Sequence, residues 1–305
     1  MTAPRATQCN RLASVLGFLL VGMVWATVAA ASEPAVRQKN GRVVAFYDYT
    51  HVDSDDVFAF PPGGGSVRVH ASEIDLDAGG ARGTYTFPLG HSLGARVIAG
   101  ATGSKVHPDG REETKSGGID LGGDIFLRDP ERFEVGIGPR YNWMDRSRGS
   151  SDQTIHSGGM AAYAKYFLKD FGVGPVDLDL LGQIMNMDSD VDISGALSAR
   201  RTYSAGGGAR VYLSNSVALR MGGQWTRLNY GGGGNEVTKA ADFDLDVLLP
   251  FKPNVTLGAD LTIGEIDQSI PGLANFGRQF FSLGISLTVS FPGVDSLVEL
   301  NRFYY

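Results

Sequence analysis

The sequence predicts an all-β protein, a transmembrane antiparallel up-and-down β-barrel of about twelve strands. Three observations predict it. Apolar and polar residues alternate along most of the chain, long and short connections alternate between those segments, and a secretion leader precedes them. The alternation is clearest where Phe281, Leu283, Ile285, Leu287, Val289 and Phe291 take every second position, with Ser282, Gly284, Ser286, Thr288 and Ser290 between them. Only an extended strand sends two such sets to opposite faces, because its side chains repeat with a period of two.

The leader comes first. Arg5 and Arg11 give a positive start, Leu12 to Ala30 is apolar, and Ala29-Ala30-Ala31 supplies a small-residue exit. Residues 1–31 therefore read as a cleaved secretory signal, and 32–41 as a periplasmic N-terminal segment. Cys9 is the only cysteine and lies in the leader, so the mature chain is expected to have no disulfide. A closed barrel is stable without one, since every strand has two hydrogen-bonded neighbours. Removing Arg5 and Arg11 takes the formal charge from −6 to about −8, which excludes nucleic acid as a partner. No later stretch of about eighteen apolar residues offers a membrane helix. The 42 glycines are about twice ordinary usage and fall inside alternating segments. In a barrel wall they permit bending and leave room in the lumen.

The barrel is predicted over 42–291. Arg42 to Val52 sets Val43, Ala45, Tyr47 and Tyr49 against Arg42, Asp48 and Thr50. From His70 to Phe87 the parity changes, Ile74, Leu76 and Ala78 having one phase and Tyr85 and Phe87 the other, so a bulge is expected at Gly79-Gly80 or Gly83. Leu93 to Ala101 opposes Arg96 to Val97 and Ala99. Gly118 to Arg128 opposes Asp120, Asp124 and Arg128 to Leu121 and Ile125, and Arg132 to Trp143 opposes Glu134 and Arg140 to Val135 and Ile137. The rule continues with Lys165 against Tyr166, Asp177 and Asp179 against Leu178 and Leu180, Arg210 against Val211, and Arg220 against Leu219 and Met221. It ends with Asp242, Asp244 and Asp246 against Phe243 and Leu245, Asp260 against Leu261, and the Phe281–Phe291 strand.

Connections alternate in length. Those at 89–92, 129–131, 169–175, 213–216 and 251–254 are short. Those at 53–66, 103–116, 145–155, 187–199, 231–239 and 267–277 are longer and polar. Short periplasmic turns and long outer loops belong to a barrel inserted from the periplasm. Greek-key sandwiches break such alternation with crossovers.

On this pattern the chain resembles the Gram-negative outer-membrane β-barrel superfamily, over most of its mature length. The resemblance implies a place in the bacterial outer membrane, among lipid and lipopolysaccharide. It also implies that the assembly machinery reads the last strand, Phe281 to Phe291. Pro292 to Tyr305 departs from the pattern by extending beyond that strand, as a periplasmic tail or a lumen-facing plug.

Parity places the charged residues inside. The acidic set is Asp120, Asp124, Asp177, Asp179, Asp242, Asp244, Asp246 and Asp260; the basic set is Arg96, Arg128, Arg140, Lys165, Arg210 and Arg220. On the lipid face an Arg or Lys would cost about 2–4 kcal/mol at the midplane. Two readings follow: a narrow water-filled pore whose charged rows filter small polar or charged solutes, or an occluded barrel for structure or surface recognition. Asp242-x-Asp244-x-Asp246 is expected to pair with Arg210 and Arg220; a cation ladder is the alternative. Asp53-Ser54-Asp55-Asp56 reads as a solvated acidic loop ahead of a calcium site, because it lacks the glycine and terminal glutamate of an EF-hand. Trp143 and Trp225 should lie in an outer aromatic belt, and Phe87, Phe133, Phe251 and Phe291 in a periplasmic one. His51 and Asp53 share a face, the basis of a third reading, a surface hydrolase. His156 and Ser157 point to opposite faces and form no dyad. The chain is therefore expected to be no enzyme, and the sequence calls for no cofactor.

Overall fold

The computed structural model describes residues 39–53, 56–59, 67–70, 73–108, 112–129, 131–148, 151–169, 172, 174–189, 199–230, 233–249, 252, 254–269, 276–291, 294 and 296–303. The leader, Ser54 and Asp55, and Phe251 lie outside them. The barrel strands are β1 (Asn40–Val52), β4 (Ile74–Pro88), β5 (Leu93–Pro108), β6 (Thr114–Asp129), β7 (Phe133–Arg148), β8 (Ser151–Leu168), β9 (Val176–Ser189), β10 (Ala199–Ser214), β11 (Val217–Tyr230), β12 (Asn235–Leu248), β13 (Val255–Ser269) and β14 (Phe276–Phe291). Each pairs antiparallel with its neighbours, and β1 closes the ring on β14, Tyr47 opposite Ile285. A small hairpin, β2 (Asp56–Ala59) and β3 (Val67–His70), stands in the first long loop. One helix, α1 (Leu297–Phe303), follows β14. Among the described residues no helix is long and apolar enough to cross a membrane.

The wall is inside-out by soluble standards. Leu180, Ile285, Met221 and Ile125 point outward and are more than half exposed. Such a continuous apolar exterior is a lipid-facing surface. Among the described residues, a cluster of buried apolar side chains sits instead at the short-turn end of the lumen, where Tyr212, Ala218 and Leu248 meet Val294, Leu297 and Leu300.

The structure corrects the expected bulge. β4 pairs with β1 and β5 at constant register from Ile74 to the last pairs. Tyr85 lies beside Gly41 and Asp77 beside Tyr49, so the odd residues of β4 all share the outward face of β1. Ile74, Leu76 and Ala78 face the lumen. The parity change is a change of surroundings, not of backbone. Near the long loops the outward face is polar: Asp75 takes hydrogen bonds from Tyr49 Oη at 2.8 Å and meets His51 Nδ1 at 2.8 Å, and Tyr47 donates to Asp77. The hairpin strand Val67–His70 is no part of the barrel.

The strands are also longer than expected on that side. A bilayer needs about 9–11 residues per strand, but β8 has 18 and β5, β6, β7, β10 and β14 have 16 each. The overhangs carry polar residues on both faces, as at Lys239, which pairs outward with Glu265 at 2.6 Å and Asp267 at 3.2 Å. Greasy/polar alternation stops where lipid stops, so these strand ends read as loop.

β7 carries Pro139 in mid-strand. Its missing N–H interrupts the ladder to β6, yet the register is the same on both sides, Gly122 opposite Arg140 and Ile125 opposite Ile137. The strands approach closely there. A Cβ on Gly138 would lie 1.7 Å from the Gly123 carbonyl oxygen, so only glycine fits.

Candidate functional site

The lumen holds the candidate site, and strand parity builds it. Even-numbered residues of β5, β6 and β7 and odd-numbered residues of β8 and β9 share the inner face. Near the short turns they form a buried charge cluster around Glu134, which is 1% exposed. Arg96 Nη2 donates to Glu134 at 2.9 Å, Tyr163 Oη donates at 2.7 Å, and Arg128 donates to the other carboxylate oxygen. Arg96 also lies 3.6 Å from Asp124, and Arg140 Nη2 donates to Asp124 at 2.7 Å. The Phe126 ring has a guanidinium carbon 4.9 Å from its centroid on behalf of both Arg96 and Arg128. Buried charge of this kind is tolerable only when paired and hydrogen-bonded throughout.

A second cluster centres on Arg220. Its Nε and Nη2 grip the two oxygens of Asp179 at 3.1 and 3.0 Å, while Nη1 reaches Asp244 at 3.3 Å and Asp242 at closer range. Arg210 meets Asp246 at 3.4 Å. The three-aspartate file is thus paired with Arg210 and Arg220, as its alternation predicts, and is no bare cation ladder. Asp120 accepts from Asn142 Nδ2 at 2.6 Å and lies 3.7 Å from Arg82. Asp260 stands apart from the arginines. It and Asp48 lean over Gly284, where a Cβ would lie 2.2 Å from Asp260 Oδ1 and 2.3 Å from Asp48 Oδ1. By strand parity the fourteen charged residues assigned to the lumen share its inner face: Arg96, Asp124, Arg128 and Arg140 in the first cluster, Asp179, Arg220, Asp242 and Asp244 in the second, with Asp120, Lys165, Asp177, Arg210, Asp246 and Asp260 around them.

Between these clusters is a cavity of about 830 Å³. Arg42, Arg82, Arg140, Asp179 and Asp242 line it, and a strip of Met144, Leu181, Met185 and Met187 gives one side an apolar shelf. A smaller cavity of about 150 Å³ lies against Thr256, Ser286, Asp246 and Asp260. Asn301 of α1 borders both, so the helix forms the floor.

That floor is what sequence reasoning left open. The tail enters the lumen at the short-turn end. Val294, Leu297 and Leu300 are at most 3% exposed, and Leu297 N donates to the Asn215 carbonyl at 2.8 Å. Arg302 Nε donates to Asp177 Oδ1 at 2.9 Å, Nη2 donates to the Leu168 carbonyl at 3.2 Å, and the guanidinium lies 5.0 Å from the Phe167 ring centroid. Tyr212 Oη donates to the other Asp177 oxygen at 2.5 Å. The sequence does carry a signal: Ser296-Leu297-Val298-Glu299 is a capping box, and Glu299 N donates to Ser296 Oγ at 3.2 Å.

The histidine pair lies elsewhere. His51 Nε2 is 3.3 Å from Asp53, and its ring centroid is 5.5 Å from that of Phe281, on the outer wall and outside the lumen. His156 meets Tyr141 Oη at 2.8 Å on the outer wall, while Ser157 is buried on the inner face. Among the described residues no group of three or more His, Cys, Asp or Glu could hold a metal ion.

No protein-family model and no curated protein matches the chain. Solved structures do. The COG4313 outer membrane channel from Pseudomonas putida F1 superposes with a TM-score of 0.59 at 14% identity, over 87% of this chain and 100% of that one. The β domain of the Bordetella autotransporter BrkA gives 0.53 at 12% identity, over 83% of this chain and all of that one. The shared feature is the fold, a closed antiparallel β-barrel. The apolar belt suits the wall to a lipid bilayer.

Proposed function

We propose that this chain is an integral outer-membrane channel through which small polar or charged solutes diffuse passively along a narrow lumen. The observation that carries the reading is the cavity of about 830 Å³ inside the wall, lined by both signs of charge. Barrels of about eight strands fill with side chains and those of about sixteen to eighteen leave wide channels, so twelve strands agree with a narrow one. The likeness to a Pseudomonas outer membrane channel agrees too. The inward Asp and Arg rows would set selectivity, and the chain would be no enzyme. Its partners would be lipid and lipopolysaccharide around the belt, the assembly machinery at β14, and the solutes themselves.

A second reading, an occluded barrel with a structural or surface-recognition role, is favoured by the helix seated in the short-turn end and by the pairing of the lumen charges. Planar-bilayer recording separates the two. The channel reading predicts small discrete conductance steps whose cation preference falls on Asp244→Asn. A bilayer silent at every voltage supports the occluded barrel.

A further inference from the structure

We propose that the C-terminal segment is a displaceable plug: α1 closes the short-turn end of the lumen in the state seen here, and its release opens it. For its consequence the inference rests on the channel reading above; for its geometry it stands alone.

The seat is strong enough to hold the helix and too weak to make it permanent. A seven-residue helix has no stability of its own in water. What fixes it is the burial of Val294, Leu297 and Leu300 on Tyr212, Ala218 and Leu248, together with the Arg302–Asp177 pair at 2.8 Å. These contacts gather on β8 to β12. Toward β13, β14 and β1 the helix borders a polar cavity of about 150 Å³ instead of packing on the wall. Asn301, 5% exposed, leaves its Nδ2 buried without a hydrogen-bond partner among the described residues. An unsatisfied buried amide is costly, and it regains a partner when the helix moves into water. Asp177 keeps the Tyr212 hydroxyl after Arg302 leaves, so release strands no bare carboxylate. In the sequence, Pro292 and Gly293 join the helix to β14.

The experiment reports plug position and ion flow separately. Ser286→Cys places a thiol in the 150 Å³ cavity beside the helix, in a mature chain with no other cysteine. It is combined, in the full-length mature protein, with Leu300→Asp and Arg302→Ala to unseat α1. A chain ending at Phe291 is the second variant; it leaves the aromatic end of β14 as its C-terminus. With a membrane-impermeant charged maleimide, both variants are expected to label at least tenfold faster than the parent carrying Ser286→Cys alone. In planar bilayers both are expected to give severalfold larger steps. Equal labelling rates overturn the plug. So do unchanged step sizes in a parent that conducts, and the channel reading then survives. Faster labelling with silent bilayers upholds the plug and defeats the channel reading.

Discussion

Glu134 shows at the residue scale how this barrel tolerates charge away from water. It is wholly buried, yet Arg96, Arg128 and Tyr163 satisfy it together. Truncation would leave two arginines facing each other across Phe126 with their shared counter-ion gone. Glu134→Ala is therefore expected to cost about 3–5 kcal/mol, read as a lower guanidinium midpoint for unfolding of the detergent-solubilised protein. An unchanged midpoint would mean that the cluster is hydrated. At this scale the sequence was legible as far as parity reaches. Each predicted lumen residue lies inside because the alternation could fall in only one phase. Which partner each acid takes was legible only for Asp242, Asp244 and Asp246, whose arginines stand on the two preceding strands, Arg220 on β11 and Arg210 on β10. Glu134 was visible as an inward residue, but its central place depends on how β5 to β8 curve around Phe126, and no local pattern encodes that.

At the scale of elements, the strands announced themselves wherever one face meets lipid. β14 is the clearest, and its outward residues also make it the place to test the wall. Ile285, 63% exposed, lies in the middle of the apolar run of β14. Ile285→Arg should destabilise the barrel by about 2–4 kcal/mol, measured by reversible unfolding in phospholipid vesicles. The control Ser286→Arg faces the lumen; equal losses from both would show that the outer face is not in lipid. Three elements were misread or left open, each for a physical reason. The long-loop ends of β5 to β9 and of β12 passed for loop because both faces of a strand are polar beyond the bilayer. The supposed bulge in β4 arose because Asp75 and Asp77 point outward into a set of tyrosines and histidines, while Ile74 and Leu76 point in. The helix α1 obeys a period near 3.6, so against a period of two it registered only as broken alternation; its capping box was the available clue.

For the whole molecule, lumen charge is balanced locally rather than left as bare rows. Arg220 holds three aspartates at once, so it sets the net charge of its cluster on the cavity wall. Arg220→Gln is expected to raise the cation-to-anion permeability ratio severalfold, read as a shifted reversal potential in a salt gradient. An unmoved potential would place the path of solutes elsewhere. The proposed channel requires water and ions to pass through a closed sheet. Single-channel recording tests this most directly, with the full-length protein and its Leu300→Asp/Arg302→Ala variant in matched planar bilayers. The prediction is small discrete steps from the first and severalfold larger ones from the second. Silence from both, at every voltage and salt concentration, would contradict it.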